Sequence, residues 1–379
     1  MSNARKLADN LPTEGQLGNR NMIINGALNI AQRSQSAVTV SDGSNEGYAT
    51  VDRFQVTFGS AMGGALSAQQ VDSPSGNSEF GKSLKLSCTT VNSAAMGSGS
   101  NRFLSVAQYL EGLDLQHLGY GQTDAKDLAF SFWVYTNKTG RYGFSIIAQD
   151  SGGSYDVWGS NFNVTTANTW QKVIFTIEGN TSANIIATNT YGFLIDVYLA
   201  VASNRAGTSD SQWQTYSTAR VPGAYTDYVD FLDNTSNVFY ITGVQLEVGS
   251  QASPFEHEPT SVTLAKCQRY YFQEDITTTN ASGGLGVAAA TTAVTFDHPL
   301  PVRMRANPSV SLTSANLRIG DTVSAAFYTS SGSITISSYS GPARGVYNLN
   351  GFSGLTTYRT YLHEPDSTYP GIVVFNAEL

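Results

Sequence analysis

The chain consists largely of short runs in which apolar and polar residues alternate, separated by clusters of Gly, Asn, Asp and Ser. From Met22 to about Pro259, no run with helical periodicity interrupts this pattern. Alternation with a period of two is typical of half-buried strands, and the residues between the runs are those that form turns. Because a parallel α/β sheet requires helices between its strands, the pattern predicts a mostly β chain.

The strands predicted in this region are short and follow one another closely. They lie at 51–58, 83–88, 129–135, 142–148, 170–177, 193–199 and 238–245. Seven or more short strands joined by turns predict an antiparallel β-sandwich, and the jelly roll is a natural topology for a region of about 240 residues.

A smaller β domain is predicted after a short helix or turn in which Leu264, Cys267 and Tyr271 recur at helical spacing. Its candidate strands lie at 288–296, 309–313, 323–328, 333–338 and 371–377, and residues 330–333 carry a hairpin signal. The sequence therefore predicts four sections: an N-terminal docking peptide at 1–20, a jelly-roll sandwich at 21–260, a helical linker at 261–276 and a C-terminal β domain at 277–379.

The first residues form a separate pattern. Ala4, Leu7, Ala8 and Leu11 fall at i, i+3, i+4 and i+7, which predicts a short amphipathic helix. A helix of fewer than about 12 residues is marginal in water, so its apolar stripe needs a partner. That partner is either another copy of the helix or another protein.

Charge and hydropathy exclude several kinds of partner. The formal net charge is −8, so the chain as a whole has no positive field to attract nucleic acid or anionic lipid. There is no uninterrupted run of about 18 apolar residues, and we therefore expect no membrane insertion. The first residues contain no apolar signal-peptide segment, so we expect no classical secretion and assembly in the bacterial cytoplasm. The two cysteines are expected to be free thiols.

Residue patterns for catalysis are sparse. The four histidines are scattered without metal-binding spacing: His117, His257, His298 and His363. The sequence also contains no nucleotide-binding motif. Glycan cleavage requires two carboxylates across a groove, for which Glu256 with Glu258 and Asp230 with Asp233 are candidates. With 29 acidic residues such pairs arise by chance, and the regular short repeats of a β-helical depolymerase are missing. We expect no enzymatic activity, no metal and no cofactor.

Aromatic residues in the loops between predicted strands are candidates for binding sugars. A pyranose stacks its C–H face on an exposed aromatic ring, while neighbouring Asn, Asp or Gln side chains bond its hydroxyls. The segments with this composition contain Tyr155, Trp158, Trp213, Tyr216, Tyr225 and Tyr228. The alternative is that these rings fill the ends of the sandwich, and for Trp133 and Trp170 we expect a place in the core or in an interface.

One strand has an unusual distribution of polar residues. By alternation, Ile241, Gly243, Gln245 and Glu247 face one side of the segment 241–248, and Thr242, Val244, Leu246 and Val248 face the other. The sequence predicts that Gln245 and Glu247 face either solvent or a neighbouring subunit.

Several segments together resemble a known family. The succession ITGVQLEVG at 241–249, ASPFEH at 252–257 and CQRYY at 267–271 is similar to a motif of bacteriophage tail-fibre and related virion proteins that carry a carbohydrate-binding-module-like jelly roll. Further segments occur in the order found in that family: SNARKLAD at 2–9, NMIINGA at 21–27, VDRF at 51–54, FSFWV at 130–134, NTWQ at 168–171 and FNAEL at 375–379.

The resemblance implies a structural protein of the virion tail, assembled as a homotrimer, that attaches the phage to a host cell-surface glycan or other receptor. It implies that the N-terminal peptide docks on a tail adaptor, nozzle or other virion protein, and that loops of the C-terminal domain bind the host surface. The alternatives are a head fibre, decoration protein or tail adaptor without receptor contact, and a glycan-degrading tailspike.

Overall fold

The computed structural model describes residues 19–42, 46–59, 62–92, 96–97, 100–274, 284–312, 317–364 and 372–379. These residues divide into two compact units, one that ends at Thr263 and one that runs from Leu264 to Glu378. The predicted N-terminal helix with Ala4, Leu7, Ala8 and Leu11 lies outside the described residues.

The first unit is built almost entirely of strands. In chain order they are β1 (Val38–Ser41), β2 (Gln55–Gly59), β3 (Ala65–Asp72), β4 (Lys82–Thr90), β5 (Phe103–Glu111), β6 (Leu128–Thr136), β7 (Gly140–Gln149), β8 (Tyr155–Val164), β9 (Gln171–Ile177), β10 (Tyr191–Val201), β11 (Ala206–Thr208), β12 (Trp213–Thr215), β13 (Val221–Pro222) and β14 (Val238–Val248). Short 3-10 helices lie at Gly112–Leu118, Ser203–Arg205, Tyr225–Asp227 and Phe231–Asp233.

Two antiparallel sheets form the sandwich in the described part of this unit. The first sheet has the order β1-β3-β4-β14-β6-β9, and the second has the order β12-β8-β7-β10-β5-β2. Neighbours in these orders are often distant in the chain, which is the topology of a jelly roll rather than of a simple meander. The prediction of a mostly β, jelly-roll-type sandwich is confirmed.

Stacked aromatic rings join the two sheets in the core. The ring of Phe144 on β7 lies between Phe130 on β6 and Phe175 on β9, with ring centroids 4.7 Å and 4.3 Å apart. All three side chains are buried. Each large aromatic ring removes on the order of 150–250 Å² from water, so this stack is a major source of cohesion between the sheets.

A β-bulge interrupts β14 and changes the direction of its side chains. The pairing of β14 with β6 shifts between Thr242 and Gln245, and Gly243 adopts a left-handed backbone conformation with φ 61°. As a result Ile241 faces the same core as Val244 and Leu246. The expectation of uninterrupted alternation over 241–248 is wrong here, because the extra residue of a bulge reverses the parity of the residues that follow it.

Gln245 and Glu247 of β14 are buried, contrary to the expectation that they face solvent or another subunit. The Gln245 side-chain oxygen accepts a hydrogen bond from the Glu256 backbone N–H at 2.8 Å. The Glu247 carboxylate accepts from the Ser253 backbone N–H at 2.7 Å and from its hydroxyl at 2.6 Å. The Asn21 side-chain oxygen also bonds this strand, because it accepts a hydrogen bond from the Leu246 backbone N–H at 3.1 Å.

We call this set of contacts the β14 clasp: Asn21, Gln245, Glu247, Ser253 and Glu256. It ties the beginning of the first unit and the segment after β14 to the same strand. Three of the segments that carry the family resemblance, at 21–27, 241–249 and 252–257, meet here. Buried polar side chains are costly unless bonded, so these residues stabilise only this arrangement of the chain.

The second unit consists of a set of shorter strands. The helix that leads into it begins at the end of the first unit. The helix is α1 (Thr260–Gln268), and the strands are β15 (Tyr271–Gln273), β16 (Leu285–Ala290), β17 (Ala293–Pro299), β18 (Ser309–Leu312), β19 (Leu317–Asp321), β20 (Phe327–Ser330), β21 (Ile334–Ile336), β22 (Arg344–Asn350), β23 (Thr360–His363) and β24 (Val373–Asn376). The segment predicted as one strand at 288–296 is a hairpin of β16 and β17.

The larger sheet of the second unit is curled. Its strand order is β20-β19-β23-β16-β17-β22-β21, beside a smaller sheet of order β15-β24-β18. The predicted hairpin at 330–333 is wrong, because β20 and β21 lie at opposite edges of the larger sheet. Only residues 331–333 link β20 to β21, so the two edges of the sheet must approach each other. A hydrogen bond joins them, since the Ser330 hydroxyl of β20 donates to the Asn350 carbonyl of β22 at 3.1 Å.

Two ionisable side chains are buried in the second unit with opposite consequences. His363 is fully buried, its ring nitrogens have no partner among the described residues, and burial lowers its pKa to about 4. Burial raises the pKa of Glu274 to about 7. As pH falls, His363 therefore becomes protonated at a higher pH in the unfolded chain than in the folded chain. As pH rises, Glu274 loses its proton at a lower pH in the unfolded chain than in the folded chain.

The Gly243→Ala substitution is expected to destabilise the first unit by about 1–3 kcal/mol, because a Cβ at this left-handed position would lie 2.5 Å from Cζ of Phe80. Gly81→Ala is the matched control, since a Cβ at Gly81 meets no atom within 4 Å. Denaturant unfolding of both variants measures the difference. Equal stability would contradict the role assigned to the bulge.

His363 is expected to contribute a loss of up to about 3 kcal/mol of second-unit stability as pH falls from 6.5 through about 4, because folding suppresses its protonation, while Glu274 contributes in the opposite direction because folding favours its protonated form. His363→Leu is expected to remove the His363 contribution, so that the variant becomes more stable relative to the wild type as pH falls, and substitution of the exposed His117 by Gln is the control. Hydrogen–deuterium exchange of second-unit peptides across this pH range measures the effect. An unchanged pH dependence in the Leu variant would contradict it.

Candidate functional site

Four tyrosines lie together on the outer face of the second sheet of the sandwich, and we call them the tyrosine surface: Tyr109, Tyr155, Tyr191 and Tyr216. Beneath them, four strands each contribute one buried apolar side chain to a floor: Ala107 of β5, Ile147 of β7, Val157 of β8 and Leu194 of β10. The tyrosines themselves are half-buried. The outer face of this sheet therefore carries a second apolar layer, separate from the core between the sheets.

The four rings form a continuous series. Tyr109 meets Tyr191 edge to face, with centroids 5.1 Å apart, and Tyr191 lies nearly parallel to Tyr155 at 6.2 Å. Tyr155 in turn meets Tyr216 edge to face at 6.0 Å. Edge-to-face and parallel offset contacts are the favourable geometries for aromatic rings, so each ring holds its neighbour in place.

Two phenol groups of this surface have pKa values above the ordinary one. Burial, and then the charge of Asp196, raise the pKa of Tyr109. Burial, and then a hydrogen bond with Tyr155, raise the pKa of Tyr191. Tyr109 and Tyr191 thus present hydroxyls that donate and accept hydrogen bonds.

An amide group lies next to these rings. Gln149 ends β7, directly opposite Tyr155 of β8. Its side-chain oxygen is buried and has no hydrogen-bond partner among the described residues. The oxygen is closed to solvent in this arrangement, so a ligand hydroxyl reaches it only if the Gln149 side chain turns outward.

A buried ion pair fixes one end of the tyrosine surface. Arg220 donates to the Asp196 carboxylate at 3.2 Å and to the Tyr216 hydroxyl at 3.2 Å. Asp196 also accepts from the Ser105 hydroxyl at 2.8 Å and from the Tyr198 hydroxyl at 3.0 Å. Because Asp196 is fully bonded and lies opposite a cation, it orients Arg220, and Arg220 holds Tyr216 against the sheet.

The six aromatic residues singled out in the sequence are separated by the fold. Tyr155 and Tyr216 belong to the tyrosine surface. Trp158 does not, because the alternation of β8 turns it into the core, where it is 1% exposed. Tyr228 is buried and its hydroxyl donates to the Pro222 carbonyl at 2.6 Å.

The other two candidates also lie outside the tyrosine surface. Trp213 is half-buried and its indole N–H donates to the Glu178 carbonyl at 2.7 Å. Tyr225 is half-buried in a 3-10 helix. Neither ring belongs to the series of four tyrosines, and the Trp213 ring instead meets Tyr120 edge to face at 5.8 Å.

Sequence reasoning did not find Tyr109, Tyr191, Gln149 or Arg220. Tyr109 and Gln149 lie in strands, whereas the search covered loop segments rich in aromatic and polar residues. Alternation in β5 carries a usable signal, because Tyr109 has the parity opposite to the core residues Val106 and Leu110. That Tyr191 and Arg220 reach the same surface follows only from the strand order.

The carboxylates considered for glycan cleavage make structural contacts. Glu256 accepts from the Asn21 backbone N–H at 2.8 Å. Asp230 accepts from the Leu232 backbone N–H at 3.1 Å, and Asp233 pairs with Lys138 at 2.6 Å. In the described part of the chain, no three His, Cys, Asp or Glu side chains come together as a metal site. No helix there is long and apolar enough to cross a bilayer.

No protein-family model and no curated protein matches the chain. Among solved structures it is similar to the enzymatically active domain of tailspike protein 4 of bacteriophage CBA120, with 12% identity and a TM-score of 0.33 over 61% of this chain and 22% of that one. It is also similar to the C-terminal family 22 carbohydrate-binding module of Clostridium thermocellum Xyn10B, with 10% identity and a TM-score of 0.31 over 62% of this chain and 98% of that one. The chain thus spans about a fifth of the tailspike (22%). Similarity this weak does not establish a shared activity.

Asp196→Asn is expected to destabilise the first unit by about 3 kcal/mol, because it leaves the Arg220 guanidinium without its counter-charge in a largely buried site. The control is Asp227→Asn, which breaks the exposed pair with Arg141 and is expected to cost less than about 1 kcal/mol. Denaturant unfolding compares the two. Equal losses would contradict the role of Asp196 as the anchor of Arg220.

Proposed function

We propose that this protein is a fibre-type component of a phage virion that attaches to a host cell-surface glycan through the tyrosine surface of its first unit. The observation that carries the proposal is the continuous series of four half-buried tyrosine rings, with the Gln149 side chain paired beside Tyr155. Flat apolar rings match the C–H faces of a pyranose, and phenol and amide groups match its hydroxyls.

The way the surface is built supports recognition rather than core packing alone. The floor and the Arg220–Asp196 pair hold the rings before any ligand arrives, so binding would order few additional side chains. Tyr109, Tyr155 and Tyr191 lie on strands of the sandwich, and Tyr216 directly follows β12, which limits the movement of the rings. The sequence resemblance to tail-fibre proteins supports attachment to a host surface, although it implies loops of the C-terminal domain for that contact, and the proposal assigns it to the first unit instead.

Binding without bond cleavage is part of the proposal. Glu256, Asp230 and Asp233 already bond backbone N–H groups or a lysine, which favours structural roles for these carboxylates. Incubation with a glycan that the protein binds is expected to release no new reducing ends. Assembly as a homotrimer and docking of the N-terminal peptide on a tail adaptor, nozzle or other virion protein belong to the same proposal and follow from the resemblance.

A second candidate function is a head fibre, decoration protein or tail adaptor that contacts no receptor. The second unit favours this candidate because several large apolar side chains are exposed on it, among them Val323 at 72% and Phe327 at 59%. Exposed apolar patches mark surfaces that dock on other proteins.

The glycan proposal predicts that the full chain binds members of an array of neutral and acidic oligosaccharides, and that Tyr155→Ala with Tyr191→Ala weakens binding at least about tenfold. The reason is that these two parallel rings provide the central stacking surface. Isothermal titration with the best oligosaccharide measures the change.

Tyr225→Ala is the matched control, since it removes a half-buried tyrosine of the same unit that is not part of the series. It is expected to leave the affinity unchanged. Absence of binding to every oligosaccharide, or equal weakening by the control and the double variant, would contradict glycan recognition at this surface and leave the structural candidate.

A further inference from the structure

A second group of aromatic rings lies on the outer face of the first sheet, which is the side of the sandwich opposite to the tyrosine surface. Trp133 and Tyr135 alternate along β6 with Phe132 and Val134, which face the core. Tyr240 of β14 is directly opposite Tyr135, and the two rings meet edge to face with centroids 5.4 Å apart. Directly paired residues point to the same side of a sheet, so these three rings share one face.

These rings are fixed in position but remain partly exposed. Trp170 is buried beside Tyr135, with ring centroids 5.5 Å apart, and its indole N–H donates to the Pro74 carbonyl at 2.9 Å. Trp133, Tyr135 and Tyr240 are half-buried. Trp170 therefore supports one edge of the group, while part of each of the other three rings stays open to solvent.

Two lysines lie among these rings. Lys85 of β4 is directly opposite Tyr240, and its ammonium lies 5.7 Å from the centroid of that ring. Lys172 of β9 is directly opposite Trp133. Both lysines are half-buried, and neither makes an ion pair among the described residues. We call this set the basic aromatic face: Lys85, Trp133, Tyr135, Lys172 and Tyr240.

The acidic side chains at the borders of this face do not neutralise its two lysines. Asp72 at the end of β3 pairs with Lys82 at 2.6 Å, and Asp233 before β14 pairs with Lys138 at 2.6 Å. Glu79, in the turn between β3 and β4, is exposed and forms no ion pair with either lysine of the face. The positive charge of the face is therefore uncompensated at short range within the described part of the chain.

This local positive charge contrasts with the net charge of the unit that carries it. Residues 264–378 contain seven basic and seven acidic residues, so the second unit is formally neutral. The remaining fourteen basic and twenty-two acidic residues lie in the first 263 residues, which therefore carry the whole net charge of −8. An anionic molecule is repelled by this unit as a whole and is attracted only where positive charge is locally uncompensated.

The two lysines are too far apart to bind one small anion together. β4, β14, β6 and β9 are successive neighbours in the first sheet. Neighbouring strands are about 4.8 Å apart, so the backbones of Lys85 and Lys172 are separated by at least about 14 Å. The aromatic rings lie between them. The occupant that fits is an extended molecule with flat apolar faces between its negative groups, and a chain of acidic sugars has this structure.

We propose that the basic aromatic face is a second glycan-binding surface, and that its ligand is an anionic polysaccharide. The rings stack on the faces of the sugars, and the lysines neutralise their acidic substituents. A lysine acts as a point charge without the bidentate geometry of arginine, so carboxylated and sulfated sugars both belong to the ligand class. This surface lies on the other sheet from the tyrosine surface, and the inference does not depend on glycan binding there.

The test is isothermal titration of the full chain with two charged probes and their uncharged counterparts. The probes are oligogalacturonate with its methyl ester, and a sulfated galactan oligosaccharide with the unsulfated form. The wild-type chain is expected to bind at least one charged probe at least about tenfold more tightly than its uncharged counterpart, and added salt is expected to reduce this preference. Lys85→Gln with Lys172→Gln is expected to abolish the preference, because it removes both positive charges of the face.

Two controls separate this surface from the rest of the chain. Lys266→Gln removes the same charge from a half-buried lysine of α1, and Tyr155→Ala with Tyr191→Ala disrupts the tyrosine surface. Both are expected to keep the wild-type preference for the charged probe, and thermal unfolding of the double lysine variant is expected to match that of the wild type. Absence of binding to both charged probes, equal affinity for charged and uncharged forms, or a preference that survives in the double lysine variant overturns the proposal. A preference lost equally in either control also overturns it, because the charged probe then binds elsewhere.

Discussion

The architecture of the first unit depends on the β14 clasp. β14 is paired on both sides, by β4 and by β6, and its bulge at Gly243 directs Ile241, Val244 and Leu246 into one core. The same strand holds the chain segments before and after the sandwich through Asn21, Gln245 and Glu247. A polar side chain in such a position is stable only when every bond is made, so the clasp selects one arrangement of the sheets.

The tyrosine surface lies on a face of the sandwich that is separate from its core. Stacked phenylalanines hold the two sheets together from inside, which leaves the outer side of the second sheet available for the tyrosine surface. The buried Arg220–Asp196 pair then links that surface to the segment between β10 and β14. The core and the proposed recognition surface thus occupy different sides of the same strands, as expected where alternate residues face opposite ways.

The second unit follows the same rule with a different result. Its larger sheet curls so that one side encloses Phe296, Tyr347 and His363, while the other side exposes Leu285 and Phe327. The second unit is formally neutral, whereas the first 263 residues carry the whole formal net charge of −8.

Sequence alone determined the fold class, because alternation and turn residues are local features that survive in any β arrangement. It also singled out Tyr155 and Tyr216, since aromatic and polar residues cluster around them. It did not reveal the reversal of β14, the inward direction of Trp158 or the convergence of Tyr109, Tyr191 and Arg220. Each of these depends on register and strand order, and those are decided by contacts between residues far apart in the chain, where a shift of one residue turns a side chain to the opposite face.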